Sequence, residues 1–169
     1  MRMRCESAYP SARPMPSRRD QIRMTEEELR DFLAEQMIVS CATLGPNGRP
    51  HLVALWYVPD GTTLSGWTYA KSQKARNLER DPRATLQVED GVQYDELRGA
   101  MLECDVELDR DTERVADIGM TVFARYAGGA ELPEGTRDMV LAQAPKRVGL
   151  RFVPTRVVSW DHSKLGGTY

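Results

Sequence analysis

The stretch Ser72-Gln73-Lys74-Ala75-Arg76-Asn77-Leu78-Glu79-Arg80-Asp81-Pro82-Arg83-Ala84 organises the reading of this chain. Its composition predicts a short, basic, capped helix between two strands. Ser72 is the kind of residue that caps a helix start, its hydroxyl accepting a free backbone N–H. The helix must stop near Asp81, because Pro82 has no N–H to donate and pushes the residue before it out of helical geometry. Ala75 and Leu78 lie three apart and can face a core, while Lys74, Arg76 and Arg80 load the element with positive charge. A helix start already presents free N–H donors and a partial positive charge. Lys74 adds a cation there, so the element can act as a phosphate site. The same residues would also make an ordinary solvated surface helix.

Upstream of this helix, Thr25-Glu26-Glu27-Glu28 has the form of a capping box, and Leu29, Phe32, Leu33 and Met37 recur at helical spacing. Residues 38–44 read as a strand, Gly45-Pro46-Asn47-Gly48 as a turn, and 50–58 as the returning strand. Pro59-Asp60-Gly61 then turns into a third strand, 62–69. Downstream, 83–89 and the long run 98–108 read as strands, and 110–126 as a helix ended by Gly128-Gly129. A second helical piece follows at 136–143, and two last strands, 148–153 and 156–160, are separated at Pro154. About seven strands with few, short helices predict a mainly β fold with flanking helices, closed or nearly closed into an antiparallel barrel that hides its edges.

Composition bounds the rest. A length of 169 residues suits one domain, and a formal charge of −2 argues against a general nucleic-acid binder. No run of about 18 apolar residues predicts membrane insertion, and no apolar segment follows the basic start as a secretory signal requires. Cys5, Cys41 and Cys104 are odd in number and lack a CxxC pair, so they read as reduced thiols of a cytoplasmic protein. With only His51 and His162, no histidine-rich metal site is expected. Residues 1–23 carry Pro10, Pro14 and Pro16 and an excess of arginine without apolar periodicity; they are expected to be a disordered basic tail before a domain spanning 24–169. There is no GxGxxG, Walker loop or GxSxG elbow, and no carboxylate pair suits acid–base work. What remains is a cofactor-dependent barrel or a non-catalytic binding protein.

The element order, the run Ile38-Val39-Ser40-Cys41-Ala42-Thr43-Leu44-Gly45-Pro46-Asn47-Gly48-Arg49-Pro50-His51, and the Ser-x-Lys-x-x-Asn-Leu helix followed by Arg80-Asp81-Pro82-Arg83-Ala84 resemble the split-β-barrel superfamily of pyridoxamine-phosphate-oxidase-like flavoproteins. The Lys-Ala-Arg-Asn-Leu wording and the end of the chain, Ser159 to Tyr169, look more like its deazaflavin (F420)-dependent reductases than the true oxidases. The resemblance covers about 25–169 and implies an FMN-binding-like split barrel that works as a homodimer, with its site between subunits. It further implies that Trp67 and Thr68 touch the cofactor, that Ser72, Gln73 and Lys74 hold its phosphate, and that the backbone of Leu52, Val53, Ala54 and Leu55 meets its ring system. Asn77 falls in the motif as a binder or a brace, and Trp160 is a weaker match that would cover the ring from the partner subunit.

Trp67 and Thr68 taken alone are ordinary alternating strand residues, and Trp56 and Tyr57 must point to opposite faces. His51 can in principle donate a proton, although a strand histidine beside a turn is more often simply solvated. No residue is assigned a catalytic role. The expected activity is hydride transfer between F420 and a small unsaturated or quinone-like molecule. The alternatives are an FMN-binding oxidoreductase of the same superfamily and a non-catalytic F420 or flavin carrier.

Overall fold

The computed structural model describes residues 17–166. Seven strands form one antiparallel sheet: β1 (Ile38–Leu44), β2 (Pro50–Trp56), β3 (Val58–Asp60), β4 (Thr63–Tyr69), β5 (Arg83–Asp90), β6 (Arg98–Asp109) and β7 (Arg147–Asp161). Their order is β2-β1-β5-β6-β7-β4-β3. Strands β2 and β3 occupy opposite edges, yet only Tyr57 separates them in the chain. The two edges must therefore come together at Tyr57, and the sheet curls into a half-barrel. Tyr57 pins that corner: it is 1% exposed, its hydroxyl donates to the Leu33 carbonyl (2.7 Å), and its N–H donates to the Tyr126 hydroxyl (2.9 Å). Val39, Cys41, Leu86, Leu102, Leu150 and Phe152 fill the inside of the curl.

Five helices flank the sheet: α1 (Arg18–Gln21), α2 (Glu26–Glu35), α3 (Gln73–Arg80), α4 (Thr112–Tyr126) and α5 (Thr136–Gln143). The capping box of α2 forms, with Thr25 Oγ1 accepting from Glu28 N (3.2 Å) and Glu28 Oε2 accepting from Thr25 N (2.6 Å). Leu29, Phe32 and Leu33 are buried, but Met37 is not on this helix. One Arg125 Nη2 of α4 collects the carbonyls of Ala34 (2.9 Å) and Gln36 (2.7 Å), ending α2 before it reaches Met37. Helices α4 and α5 build a second small core around Val115, Ala116, Val140 and Ala144, against the sheet face that carries Trp67. Among the described residues no helix is long and apolar enough to cross a membrane.

Three features differ from the sequence expectation. The strand expected over 50–58 divides at Tyr57, because the chain there changes sheet edges; Pro59 lies in β3, with the tight turn at Gly61 (φ 60°). The two strands expected on either side of Pro154 are one strand, β7. Glu103 pairs with Arg156 and Cys104 with Pro154, so Thr155 is the extra residue of a bulge, a place where proline's missing N–H is tolerated. Within the expected tail, Arg18–Gln21 form a turn of helix capped by Ser17. Beyond it, the Ile22 carbonyl accepts from Asp161 N (2.7 Å) and Met24 N donates to Ser159 Oγ (3.1 Å). Residues 1–16 of the expected tail, and Gly167 to Tyr169 of the C-terminal motif, lie outside the described residues.

Candidate functional site

A gap opens in the barrel between two strand edges. Strand β2 pairs only with β1, and β4 beyond Ser65 pairs only with β7, so each has one unpaired side. The two sides meet near Gly66, where a Cβ would sit 3.0 Å from the Trp56 carbonyl oxygen; glycine permits this close approach. From that apex β2 runs back toward Pro50 and β4 runs on to Tyr69. Helix α3 spans the open end, starting just after Tyr69 and reaching β1, where Arg80 Nη2 donates to the Leu44 carbonyl (3.0 Å).

Helix α3 forms as its sequence requires. Ser72 caps it, its hydroxyl accepting from Ala75 N (3.3 Å), and it ends at Asp81 before Pro82. Ala75 and Leu78 are buried. Asn77 is fully buried as well, and it locks the helix in place: Oδ1 accepts from Gln73 Nε2 (2.8 Å) and Arg80 Nη2 (3.0 Å), and Nδ2 donates to Thr43 Oγ1 of β1 (3.0 Å).

Lys74, in the first turn of α3, donates from Nζ to Thr68 Oγ1 of β4 (2.7 Å). Thr68 is buried, and its oxygen lies 3.4 Å from Ser72 Oγ. No carboxylate pairs with Lys74 among the described residues. Burial holds the ammonium below its ordinary pKa, and the nearby Arg147 guanidinium pushes the same way. Cys41 lies close by, but burial pushes its thiol up to about 12, so it stays neutral and supplies no counter-charge. The result is a half-buried cation with unused donors beside the free N–H groups of a helix start. Such a cradle fits an anion of phosphate size, and the unpaired edge of β2 fits a flat group with hydrogen-bonding edges. By contrast, a cleft of about 360 Å³ on the outer face of β1 and β5 is lined by one cation, Arg83, already paired with Asp81, and by the further carboxylates Glu103 and Asp105, an acidic excess that does not suit an anion. Among the described residues no three of His, Cys, Asp and Glu gather as a metal ion would need.

The residues singled out from sequence fall in distinct places. Thr68, Ser72, Gln73, Lys74 and Asn77 come together. Val53 and Leu55 point to the inner face of β2, and Leu52 and Ala54 to its exposed outer face. Trp67 turns away from Thr68 and packs under α4, where a Cβ on Gly119 would come within 2.7 Å of its ring. Trp160 lies over Gly99, thirteen residues along β7 from Arg147, and is not part of this cluster within one chain. Sequence reasoning missed Thr43, the acceptor for Asn77, and Arg147, whose guanidinium stacks 4.1 Å from the Trp67 ring and 4.2 Å from the Tyr69 ring. Their only sequence signal was polar character within strand-forming segments.

Comparison with known proteins agrees with this architecture. The conserved hypothetical protein Rv2991 from Mycobacterium tuberculosis is 43% identical, over 91% of this chain and 95% of that one, with a TM-score of 0.81. A solved F420 reductase is similar at 24% identity over 76% of this chain and 94% of that one, TM-score 0.59. A FAD-binding protein from Mesorhizobium loti is similar at 17% identity over 80% and 94%, TM-score 0.61. No curated protein matches. Residues 25–161, from the cap of α2 to the end of β7, match the family described as pyridoxamine 5'-phosphate oxidase. The curled sheet, its edge gap and the capped helix across that gap all lie inside the matched residues, and the chain belongs to that family.

Proposed function

We propose that this protein is a flavin-type oxidoreductase that binds F420 in preference to FMN and passes a hydride between it and a small unsaturated or quinone-like molecule. The observation that carries this reading is Lys74: a half-buried ammonium at a capped helix start, bonded among the described residues to one hydroxyl and to no carboxylate. Ser72, Gln73 and Lys74 would hold the cofactor phosphate, and the free edge of β2 over Leu52, Val53, Ala54 and Leu55 would meet the ring. Thr68 positions Lys74, Asn77 braces the helix, and the backbone of Trp67 borders the gap. Deazaflavin supplies two-electron hydride chemistry when bound. The chain's own part is to orient the ring and exclude water. The F420 reductase among the similar structures supports the cofactor class.

A homodimer completes the proposed site. Leu52 is 65% exposed and Trp56 49%, and Ile38 and Leu44 of β1 are exposed on the same sheet face. A second copy would cover this apolar face, and Trp160 would reach the ring only from that copy. Binding constants for F420 and FMN, measured on the purified protein, test the cofactor. F420 is expected to bind more tightly, and reduced F420 to be oxidised when a quinone is added without oxygen. Protein that purifies yellow with stoichiometric FMN would overturn the F420 assignment.

A further inference from the structure

His51 stands across from Thr43 in the β1–β2 pair. Directly opposed residues of an antiparallel pair point to the same face. Thr43 is buried and bonded to Asn77 of α3, so the His51 imidazole lies on the inner face at the open end of the gap. Because β2 is an edge strand, no further strand stands between that ring and the gap. The residue is partly exposed, yet its Nδ1 is buried and has no hydrogen-bond partner. Nε2 is not among the buried atoms and makes no bond within the described chain, so it is the nitrogen that faces outward.

A neutral imidazole carries its proton on one nitrogen and a lone pair on the other. Buried N–H groups without acceptors are rarer in proteins than under-satisfied acceptors. The arrangement that leaves only a lone pair in the dry position puts the proton on Nε2. We propose that His51 is held as the Nε2–H tautomer and is the hydrogen-bond donor that the gap offers to a carbonyl or enolate oxygen on the edge of a bound planar heterocycle. This rests on the cofactor reading above and deepens it: Lys74 takes the anionic end of the ligand, and His51 selects for an acceptor on its ring. His162 is an internal reference. Its Nδ1 lies 3.0 Å from the Tyr94 carbonyl oxygen, which can only accept, so that ring carries its proton on Nδ1.

The chain has only these two histidines, so long-range proton–nitrogen NMR of the full chain with labelled imidazoles resolves both. At mildly alkaline pH, His51 is expected as the Nε2–H form and His162 as the Nδ1–H form, with His51→Gln identifying the signals. Saturating FMN or F420 should move the His51 Nε2 signal and leave His162 in place, while inorganic phosphate alone should move neither. His51→Phe should weaken cofactor binding by about tenfold, and His51→Gln, which keeps a donor, by no more than about threefold. An Nδ1–H tautomer at His51 in the free protein would overturn the proposal, whatever His51→Phe does to folding. So would cofactor binding that depends on Lys74 but leaves the His51 signals still and His51→Phe unimpaired; the cofactor reading would survive that result. Failure of both cofactors to bind the wild-type chain would end both.

Discussion

Lys74 is a case of a side chain kept at some cost to the fold. Burial disfavours its charged form, so the free protein holds its pKa below the ordinary 10.5. Between that lowered value and 10.5 the unfolded chain binds more protons than the folded one, and stability rises with pH across that window. Lys74→Met should therefore fold at least as stably at neutral pH, as a thermal melt would report, while losing anion affinity. An anion at Nζ favours the charged form, so binding takes up a proton at alkaline pH. Cofactor affinity should be flat near neutrality and fall by up to about tenfold per pH unit above the free-state pKa of Lys74. Lys74→Arg, charged throughout, should remove that fall; a decline unchanged in Lys74→Arg would assign it to another group. Cys41 and Cys104 are buried with thiols pushed up to about 12. In a Cys5→Ser background, the native protein should not react with a thiol reagent on a timescale of minutes, and the denatured protein should react at two sites.

At the scale of elements, α3 depends on Asn77 more than on its charges. Asn77→Ala would leave Thr43, Gln73 and Arg80 without their shared partner, one of them fully inside. The expected cost is about 2–3 kcal/mol, or a melting point lower by roughly 4–12 °C for a domain of this size. A drop under about 2 °C would mean that the network is not what fixes the helix. Helix α3 was legible in the sequence down to its cap and its stop, because capping and proline act locally. The joining of β7 across Pro154 was not legible, because a proline in a strand signals either a break or a bulge, and only the register with β6 distinguishes them. Arg80, which from sequence reads only as part of the positive charge of the helix, bonds within α3 to Asn77 Oδ1 and ties the helix to the Leu44 carbonyl of β1. Sequence spacing carries no information about such a long-range contact. Arg76, exposed and with no side-chain bond among the described residues, is the appropriate control.

For the whole molecule, the count of about seven strands with few, short helices was enough to predict a nearly closed β fold. The passage of the chain from one sheet edge to the other at Tyr57, which creates the gap, is a tertiary fact with no local signature. Among the described residues, the same architecture leaves Ile38, Leu44 and Leu52 exposed on the outer face of β1 and β2, with Trp56 beside them half-covered by Tyr126. If a second copy covers this face, Leu52→Asp should convert a dimer into a monomer in light scattering at micromolar concentration and weaken F420 binding; a wild-type monomer that still binds cofactor would refute the shared site. The most direct test of the account is calorimetric titration of F420 into wild type, Lys74→Ala and Arg76→Ala. A charge-assisted bond to phosphate is worth about 1.5–3 kcal/mol, so Lys74→Ala should weaken binding by roughly ten- to a hundredfold. Arg76→Ala should stay within about twofold of wild type. Equal, small effects of both substitutions on a wild type that does bind would contradict the account, since the phosphate would then be held somewhere other than the start of α3.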